Sequence, residues 1–282
     1  MLKQRVITAV VLFAAVLWVL FAASAEVFSG LWALVFCLAA WEWARLAGLT
    51  APAARIAYAL LFGALLATVE LGGWRDTLQA PLICAAALAW PGLALWLWLG
   101  PTPGPAAAGA RPLRLLCGFA LLLPAWLAML ALHAGPAGDG GGGALLLYAM
   151  MLVWAADIGA YFAGRRFGRH KLAPAISPGK TWEGVAGGLL AVAALALFGL
   201  AWHGDALPAA VLLSASLCAG AISVPGDLLI SWCKRSAGIK DTSQLLPGHG
   251  GLLDRIDSLL AALPVFAAGL LWFGGLPWSG GV

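Results

Sequence analysis

The residues that could do chemistry are concentrated in two short segments of the chain. Asp157–Glu183 and Asp227–Asp257 together hold 15 of the 28 charged residues. The second segment carries four aspartates, four basic residues and one histidine within otherwise apolar sequence. Carboxylate oxygens are ligands that Mg²⁺ prefers, and lysine and arginine bind phosphate groups. This mixture of residue types predicts chemistry on a phosphorylated substrate.

Three aspartates are candidate metal ligands because of where they fall relative to apolar runs. Asp254 and Asp257 are three residues apart just before the last run, so a helix would carry both carboxylates on one face near its positive terminus. Asp227 follows Pro225-Gly226, and this pair predicts a break between the preceding apolar run and the next segment. A carboxylate from each of these places would hold a divalent cation between them. The alternative is that the aspartates cap helices or pair with nearby arginines.

Basic residues and a glycine-rich turn supply candidate phosphate contacts in the same segment. Lysine offers a point charge and arginine a forked donor, and glycine lets backbone N–H groups approach an anion closely. The candidates are Lys234, Arg235, Lys240, Arg255 and the turn Pro247-Gly248-His249-Gly250-Gly251.

An upstream turn repeats this chemistry at the start of another apolar run. The stretch Ser177–Gly184, with the sequence SPGKTWEG, combines Lys180 with two hydroxyls and Glu183. It is not a Walker A loop, which needs the pattern GxxxxGK[ST] between a strand and a helix. We expect it to contact phosphate together with the downstream segment.

The composition indicates an all-α, polytopic integral membrane helix bundle. Hydrophobic residues make up 63% of the chain, charged residues 10%, and the mean hydropathy is +0.95. Apolar runs of the roughly 20 residues needed to cross a bilayer recur, and the alternating pattern of a membrane barrel is absent. Nucleic acid is not an expected partner, because the net charge of +4 has no soluble basic face. Nine spans are predicted, near Val6–Ala23, Gly30–Leu46, Ile56–Gly73, Ala80–Leu99, Leu113–Leu132, Ala144–Ala163, Gly184–Trp202, Ala206–Val224 and Ser258–Phe273.

The basic residues predict the orientation of these spans. With the N-terminus in the cytoplasm, 15 of the 16 lysines and arginines fall on the cytoplasmic side, and only Arg75 falls outside. Both charged segments then face the cytoplasm, where nucleotides are found. The first run ends in Ala23-Ser24-Ala25 like a secretory signal, but it is longer than a signal core of roughly 7–15 residues. We therefore predict an uncleaved first span.

Other features lead to structural expectations only. Glu42 and Arg45 are three residues apart at the end of the second span, a spacing that predicts an ion pair. Pro101–Pro105 and Gly140–Gly143 predict loops. The five cysteines form no CxxC or Cys/His cluster, so neither a disulfide framework nor a zinc site is expected.

Three features together predict a reaction class. They are carboxylates that suit a metal ion, cations that suit phosphates, and a site at the cytoplasmic end of a membrane helix bundle. We expect phosphoryl or nucleotidyl transfer between a soluble nucleotide and a lipid phosphate, which needs positioning and charge neutralisation. Two rival hypotheses are a CTP-dependent polyprenol kinase and a transporter. A transporter would spread its charges over several spans near mid-depth, and an internal repeat would support it, whereas here the charges cluster at one face.

The same residues resemble the phosphatidate cytidylyltransferase (CDP-diacylglycerol synthase) family. Its signature reads S-x-x-K-R-x₄-K-D followed by P-x-H-G-G-x-x-D-R-x-D, and the chain matches from Ser231 to Asp257. The upstream stretches Asp157–Phe162 and Ser177–Gly184 are also similar to the family. One position departs: the family usually has a glutamate three residues after the aspartate of its Gly-Asp pair, where this chain has Ile230.

The resemblance implies transfer of CMP from CTP to phosphatidate, with CDP-diacylglycerol and pyrophosphate as products and Mg²⁺ as cofactor. It implies an inner-membrane enzyme whose site faces the cytoplasm, and it allows a second, monovalent cation and a homodimer. The N-terminal helices would occupy residues 1–143 and the catalytic region residues 144–282. Catalytic roles are implied for Asp227, Lys234, Arg235, Asp254 and Asp257, the three aspartates being the metal ligands. Substrate contacts are implied for Asp157, Tyr161, Ser177, Lys180, Thr181, Glu183, Lys240, Asp241, His249, Gly250, Gly251 and Arg255.

Overall fold

The protein is a bundle of long helices with one short β-hairpin. A computed structural model describes residues 2–104, 110–135, 142–203 and 207–273. Pro105, Gly140 and Gly141 of the predicted loops, and the last nine residues of the predicted catalytic region, lie outside these ranges. The elements are α1 (Leu2–Phe21), α2 (Ala25–Leu46), α3 (Pro52–Leu71), α4 (Arg75–Trp98), α5 (Arg111–Ala134), α6 (Gly143–Phe167), β1 (Lys171–Ala173), β2 (Ser177–Thr181), α7 (Trp182–His203), α8 (Ala209–Ser236) and α9 (Leu253–Trp272).

The helices agree with the predicted membrane spans. Eight of them, α2 to α9, are long and apolar enough to cross a bilayer, and the apolar part of α1 covers Val10–Phe21. The chain is therefore a multi-pass membrane protein of the predicted all-α class. The most enclosed helix is α9, with 72% of its apolar stretch buried, compared with 22% for α3. The helix that begins with two candidate ligands thus runs through the centre of the bundle.

The upstream segment, which the sequence predicts to contact phosphate, is a hairpin that the sequence did not indicate. Strands β1 and β2 pair antiparallel, with Lys171 opposite Thr181 and Ala173 opposite Ser177. Three and five residues are too few to carry the alternating apolar pattern by which strands are recognised. The hairpin leads directly into α7, so its residues are held at one end of the bundle.

The predicted break at Pro225-Gly226 is wrong, because α8 continues through both residues to Ser236. Proline is tolerated inside membrane helices, where neighbouring helices compensate for the lost backbone hydrogen bond. Gly226 lets α9 approach closely: a Cβ there would lie 3.0 Å from the Asp257 carbonyl oxygen and 3.0 Å from the Ala261 Cβ. Asp227 therefore lies in the interior of a helix, next to the beginning of α9.

Small residues bring α6 and α7 into backbone contact below the hairpin. A Cβ on Gly188 would lie 2.7 Å from the Ala156 carbonyl oxygen, and one on Gly159 would lie 2.6 Å from the Gly187 carbonyl oxygen. Close approach through glycine is a common way to pack membrane helices, where apolar burial alone does not drive association. This contact fixes the position of the hairpin relative to α6.

Gly188→Ala should destabilise the protein by about 1–3 kcal/mol, because a backbone oxygen cannot move aside for the new methyl group. The matched control is Gly30→Ala in α2, where no atom lies within 4 Å of an added Cβ. Both substitutions replace a helical glycine with alanine and gain the same helix propensity. The difference between their free energies of unfolding therefore isolates the steric effect. Denaturant unfolding in detergent measures it, and equal stability of the two variants would contradict the described α6–α7 contact.

Candidate active site

Several helix ends and the hairpin meet at one end of the bundle. At this end, Arg45 Nη1 of α2 donates to the Thr242 carbonyl oxygen at 3.3 Å, and Trp43 Nε1 donates to the Arg114 carbonyl oxygen of α5 at 2.8 Å. Arg235 Nε of α8 donates to the Ile176 carbonyl oxygen of the hairpin at 3.4 Å. The two charged segments of the sequence are therefore neighbours in space.

The first part of the site is built on α8 and the hairpin. Asp227, Ser231 and Lys234 are four and three residues apart, so they share one face of the helix. Ser231 Oγ donates to Asp227 Oδ1 at 3.0 Å. Lys180 Nζ of β2 lies 2.7 Å from Asp227 Oδ2, and about a quarter of each side chain is exposed. The hairpin thus places an ammonium group beside a partly exposed carboxylate.

The second part is a buried ion pair between α8 and α9. Lys234 Nζ lies 2.6 Å from Asp254 Oδ1, and the two side chains are 11% and 4% exposed. Asp254 Oδ2 accepts from the Thr242 N–H at 2.9 Å and the Gly251 N–H at 3.0 Å, and the Thr242 hydroxyl, which lies between Asp254 and Glu42, is 3.0 Å away. A buried carboxylate needs such partners to remain charged. Asp254 therefore ties the signature loop to α8.

Asp257 lies one turn after Asp254 on α9 and approaches Asp227 from across the helix contact. The close packing at Gly226 brings α8 against the backbone of Asp257, and the charges of Asp227 and Asp257 lie close enough to interact. Asp257 Oδ1 also accepts from the Ser258 N–H at 2.7 Å. Two carboxylates from neighbouring helices thus converge on the same region, as the sequence predicted.

Some side chains of the hairpin segment make contacts within that segment, and others point toward the site. Thr181 Oγ1 accepts from the Gly184 N–H at 3.1 Å and so caps α7. Glu183 Oε1 lies 2.6 Å from His170 Nδ1 and stabilises the base of the hairpin. Ser177 is half-buried at the start of β2. Among these predicted substrate contacts, only Lys180 contacts a candidate catalytic carboxylate.

A small cavity lies beside Lys180, between the hairpin and α6. Its volume is about 190 Å³, and its lining includes Asp157, Tyr161, Lys180, Thr181 and Val224. The Tyr161 hydroxyl accepts from Arg165 Nη1 at 2.8 Å. The two upstream motifs therefore border one cavity, and Lys180 links it to Asp227 of the downstream segment.

A larger apolar cavity of about 740 Å³ lies between α2, α4, α5 and α8. Leu229, Trp232 and Cys233 line it, and each α8 residue advances by about 100° around the helix axis. These three side chains consequently lie on the side of α8 away from Asp227. This cavity is separate from the polar site.

The signature loop between α8 and α9 turns at its glycines. Gly250 has a φ of +81° and pairs with Leu246 in an isolated β-bridge, and the His249 N–H donates to the Leu246 carbonyl oxygen at 2.9 Å. Gly251 is buried. The loop thus folds back on itself and presents backbone N–H groups to Asp254.

Three charged residues of the signature remain at the surface. Lys240, Asp241 and Arg255 are exposed, and within the described residues Lys240 and Arg255 make no ion pair at 4.0 Å or less. Arg235 is also exposed beside the hairpin. These cations are positioned to meet a phosphate that approaches from the solvent.

Glu42 contradicts the expectation of an ion pair with Arg45. Its carboxylate is 0% exposed and accepts from Thr242 Oγ1, Ser243 Oγ and the N–H groups of Leu252 and Leu253. The Arg45 side chain contacts a carbonyl oxygen of the loop instead. Residue spacing did not indicate this role, because the partners of Glu42 lie about 200 residues away. The available signal was an acid placed between apolar and aromatic residues, Ala39 to Trp43.

The donor set fits a hard divalent cation completed by substrate. No three His, Cys, Asp or Glu side chains in the described ranges are grouped as a protein-only metal site. Mg²⁺ usually takes one or two carboxylates and fills its remaining positions with waters and substrate phosphates. Ammonium groups already contact Asp227 at 2.7 Å and Asp254 at 2.6 Å, so both carboxylates are arranged to receive positive charge.

A family model described as "Cytidylyltransferase family" matches residues 3–273. The chain belongs to this family. A phosphatidate cytidylyltransferase of Pseudomonas aeruginosa is 46% identical over 277 residues, which cover 98% of each chain. One of Haemophilus influenzae is 42% identical over 281 residues, covering 95% of this chain and 98% of the relative. One of Staphylococcus aureus is 43% identical over 120 residues, covering 43% of this chain and 46% of the relative.

Membership of the cytidylyltransferase family confirms the resemblance drawn from the signature residues. The match also covers the N-terminal helices, where the sequence offered hydropathy alone. At the position where the resemblance expects a glutamate, Ile230 is 1% exposed within the apolar core. The aliphatic side chain of Ile230 is therefore part of the apolar core at a position where the family usually has an acid.

Proposed function

We propose that this protein transfers CMP from CTP to phosphatidate, forming CDP-diacylglycerol and pyrophosphate. The observation that carries the proposal is the convergence of the signature residues at one end of a membrane bundle in a member of the cytidylyltransferase family. The relatives from Pseudomonas aeruginosa and Haemophilus influenzae are phosphatidate cytidylyltransferases, and the chain aligns with almost the full length of each. A bundle with a polar site at one end suits a reaction between a soluble nucleotide and a lipid headgroup.

The reaction needs no covalent enzyme intermediate in this site. An oxygen of the phosphatidate phosphate attacks the α-phosphorus of CTP, and the bond from that phosphorus to the bridging oxygen of pyrophosphate breaks. The attacking oxygen is already anionic, so no strong general base is required. Catalysis then consists of aligning two polyanions and neutralising their charge, which is the usual division of labour in phosphoryl transfer.

The cations of the site supply that neutralisation. Lys180 and Lys234 are paired with Asp227 and Asp254 and would bind phosphate oxygens when substrate enters. The exposed cations Arg235, Lys240 and Arg255 would receive the triphosphate from solvent. The cavity that Asp157, Tyr161 and Thr181 help to line would hold part of a substrate.

One or two of the carboxylates of Asp227, Asp254 and Asp257 would hold Mg²⁺ together with substrate phosphates, and the ion would polarise phosphoryl oxygens and offset the charge of the leaving group when bound. These carboxylates come from α8 and α9, and the close packing of the two helices fixes the distance between them. A second, monovalent cation would find further carboxylate oxygen at Asp157, which lies within electrostatic reach of Asp227.

We also propose an inner-membrane location with the site facing the cytoplasm. The positive-inside distribution favours this orientation, and Arg45, Arg114, Lys180 and Arg235 all lie at the end of the bundle that carries the site. CTP would then reach the site directly. A homodimer and the division of the chain at residue 143 stay predictions.

The test uses the purified full chain in detergent micelles with phosphatidate and Mg²⁺. CTP labelled on the α-phosphate should pass its label into the lipid fraction, and CTP labelled on the γ-phosphate should not. Transfer of γ-label alone would identify a lipid kinase instead. No lipid labelling by a folded preparation would contradict both enzymatic hypotheses.

A further inference from the structure

We infer that Glu42, on the second helix, is a positioning residue that holds the signature loop and Asp254 in place for catalysis. Glu42 lies far outside the signature, and sequence spacing assigned it to a local ion pair. The inference rests on the proposed function for its kinetic consequence, but its structural part stands on the geometry alone.

The Glu42 carboxylate binds the loop that joins α8 to α9 at two places. Within the loop, Thr242 Oγ1 donates to Oε2 at 2.9 Å, and Ser243 Oγ donates to Oε1. Where the loop meets α9, the Leu252 N–H donates to Oε1 at 2.9 Å and the Leu253 N–H donates to Oε2 at 2.6 Å. One side chain thus closes the loop into a fixed shape.

The two backbone donors belong to Leu252, the N-cap residue, and to Leu253, the first residue of α9, and N–H groups at these positions have no partner within the helix. A negative charge at this terminus is stabilised by the helix dipole, as in anion sites at helix N-termini. Glu42 is fully buried and, within the described residues, has no ion-pair partner at 4.0 Å or less. Its charge is therefore satisfied by the loop and by the start of α9.

Thr242 connects Glu42 to the candidate catalytic residues. Its hydroxyl lies 2.9 Å from Glu42 Oε2 and 3.0 Å from Asp254 Oδ2, and its N–H donates to Asp254 Oδ2 at 2.9 Å. Asp254 in turn contacts Lys234 at 2.6 Å. A displacement of Glu42 would consequently reach both members of the buried ion pair.

Gly251 is required by the same arrangement. A Cβ at this position would lie 2.7 Å from Glu42 Oε1 and 2.8 Å from Oε2, so the carboxylate and the loop backbone occupy adjoining space. A side chain larger than that of glycine would therefore collide at this signature position with Glu42, a residue from the N-terminal half of the chain. Arg45 adds a second contact from α2, to the Thr242 carbonyl oxygen.

Glu42→Gln tests the inference, because an amide keeps the size of the side chain but replaces one acceptor oxygen with a donor facing other donors. We expect kcat for CMP transfer to fall about 10–100-fold, as is typical when a partner of a reacting or ligating group is lost. The KM for CTP should change less than about threefold, because none of the residues that donate to Glu42 (Thr242, Ser243, Leu252 and Leu253) is a proposed substrate contact. The matched control is Glu70→Gln, since Glu70 is a partly exposed carboxylate of α3 paired with Arg75 rather than with the loop.

Hydrogen–deuterium exchange provides a readout that does not depend on activity. In Glu42→Gln, peptides covering residues 242–253 should exchange about tenfold faster or more, while peptides of α6 and α7 keep wild-type rates. Thr242→Val, which removes only the bridging hydroxyl, should lower kcat in the same direction, and Thr242→Ser should restore it relative to the valine variant. These two variants decide the question if Glu42→Gln does not fold.

Unchanged loop exchange, or exchange that rises equally in all peptides, would overturn the positioning role. An unchanged kcat in Glu42→Gln, or equal kcat values for the valine and serine variants at Thr242, would overturn it as well. A wild-type protein that transfers no CMP would refute the proposed function, whereas the exchange experiment would still decide whether Glu42 fixes the loop.

Discussion

Asp227→Asn is expected to lower kcat for CMP transfer by roughly 10³-fold, because a neutral amide cannot hold positive charge between the enzyme and the phosphates. Metal and cation contacts to a phosphoryl group contribute several kcal/mol, and each 1.4 kcal/mol corresponds to about tenfold in rate. Asp227 lies where α8, the hairpin and α9 meet, with Lys180 Nζ at 2.7 Å and the charge of Asp257 within interaction range. The substitution is isosteric, so the loss should come from charge rather than from packing.

The measurement is single-turnover transfer of α-label into lipid by purified wild-type and variant proteins. Asp76→Asn is the matched control, because Asp76 is exposed in the first turn of α4 and makes no ion pair at 4.0 Å or less within the described residues. We expect the control to retain wild-type kcat. An Asp227→Asn protein with more than about a tenth of wild-type activity would remove this carboxylate from the proposed machinery.

The second large effect is expected at the buried ion pair. Lys234→Met should destabilise the protein by about 3–5 kcal/mol, because it leaves the Asp254 carboxylate buried without its cation. The Asp254 side chain is only 4% exposed and keeps two backbone donors, the N–H groups of Thr242 and Gly251, but loses the charge at 2.6 Å. CMP transfer should be lost as well, since Lys234 is a proposed phosphate ligand.

The double variant Lys234→Met/Asp254→Asn separates stability from activity. Removing both charges should recover part of the lost stability, so the two single effects will be strongly non-additive. Activity should stay at background, because neither cation nor carboxylate remains. Denaturant unfolding in detergent gives the first quantity and lipid labelling the second.

Lys171→Met, at an exposed lysine of β1 whose Nζ donates to the Pro178 carbonyl oxygen at 2.8 Å, is the control for loss of a lysine and should destabilise the protein by less than about 1.5 kcal/mol, because it leaves no buried charge without a partner. Additive stability effects in the double variant would contradict the described Lys234–Asp254 contact. Active Lys234→Met protein would contradict its proposed role.

The sequence predicted the helices well because the membrane imposes a simple rule. A span needs about 20 apolar residues, so hydropathy alone located α2 to α9 to within a few residues at most ends. It failed at Pro225-Gly226, where the rule that proline and glycine end helices was taken from soluble proteins. Inside a bilayer the neighbouring helices support such a residue, and α8 continues into the site.

The candidate site was predictable where its residues form a dense local pattern. Asp254 and Asp257 lie on the first turns of α9 as their spacing required, and Lys180 reaches Asp227 from the upstream segment. The hairpin was not predicted, because its strands are too short for a periodic pattern. Glu42 was misassigned because its partners are remote in sequence, and a three-residue spacing to Arg45 suggested a local pair.

The central claim is that CMP, rather than a single phosphate, moves onto phosphatidate. Mass spectrometry of one reaction with unlabelled CTP, phosphatidate and purified protein tests this by quantifying every phosphorylated product. We predict CDP-diacylglycerol and pyrophosphate in equal amounts, both increasing with time, and no accumulation of free CDP. Release of CDP together with a diphosphorylated lipid, or unreacted CTP in the presence of folded protein, would contradict it.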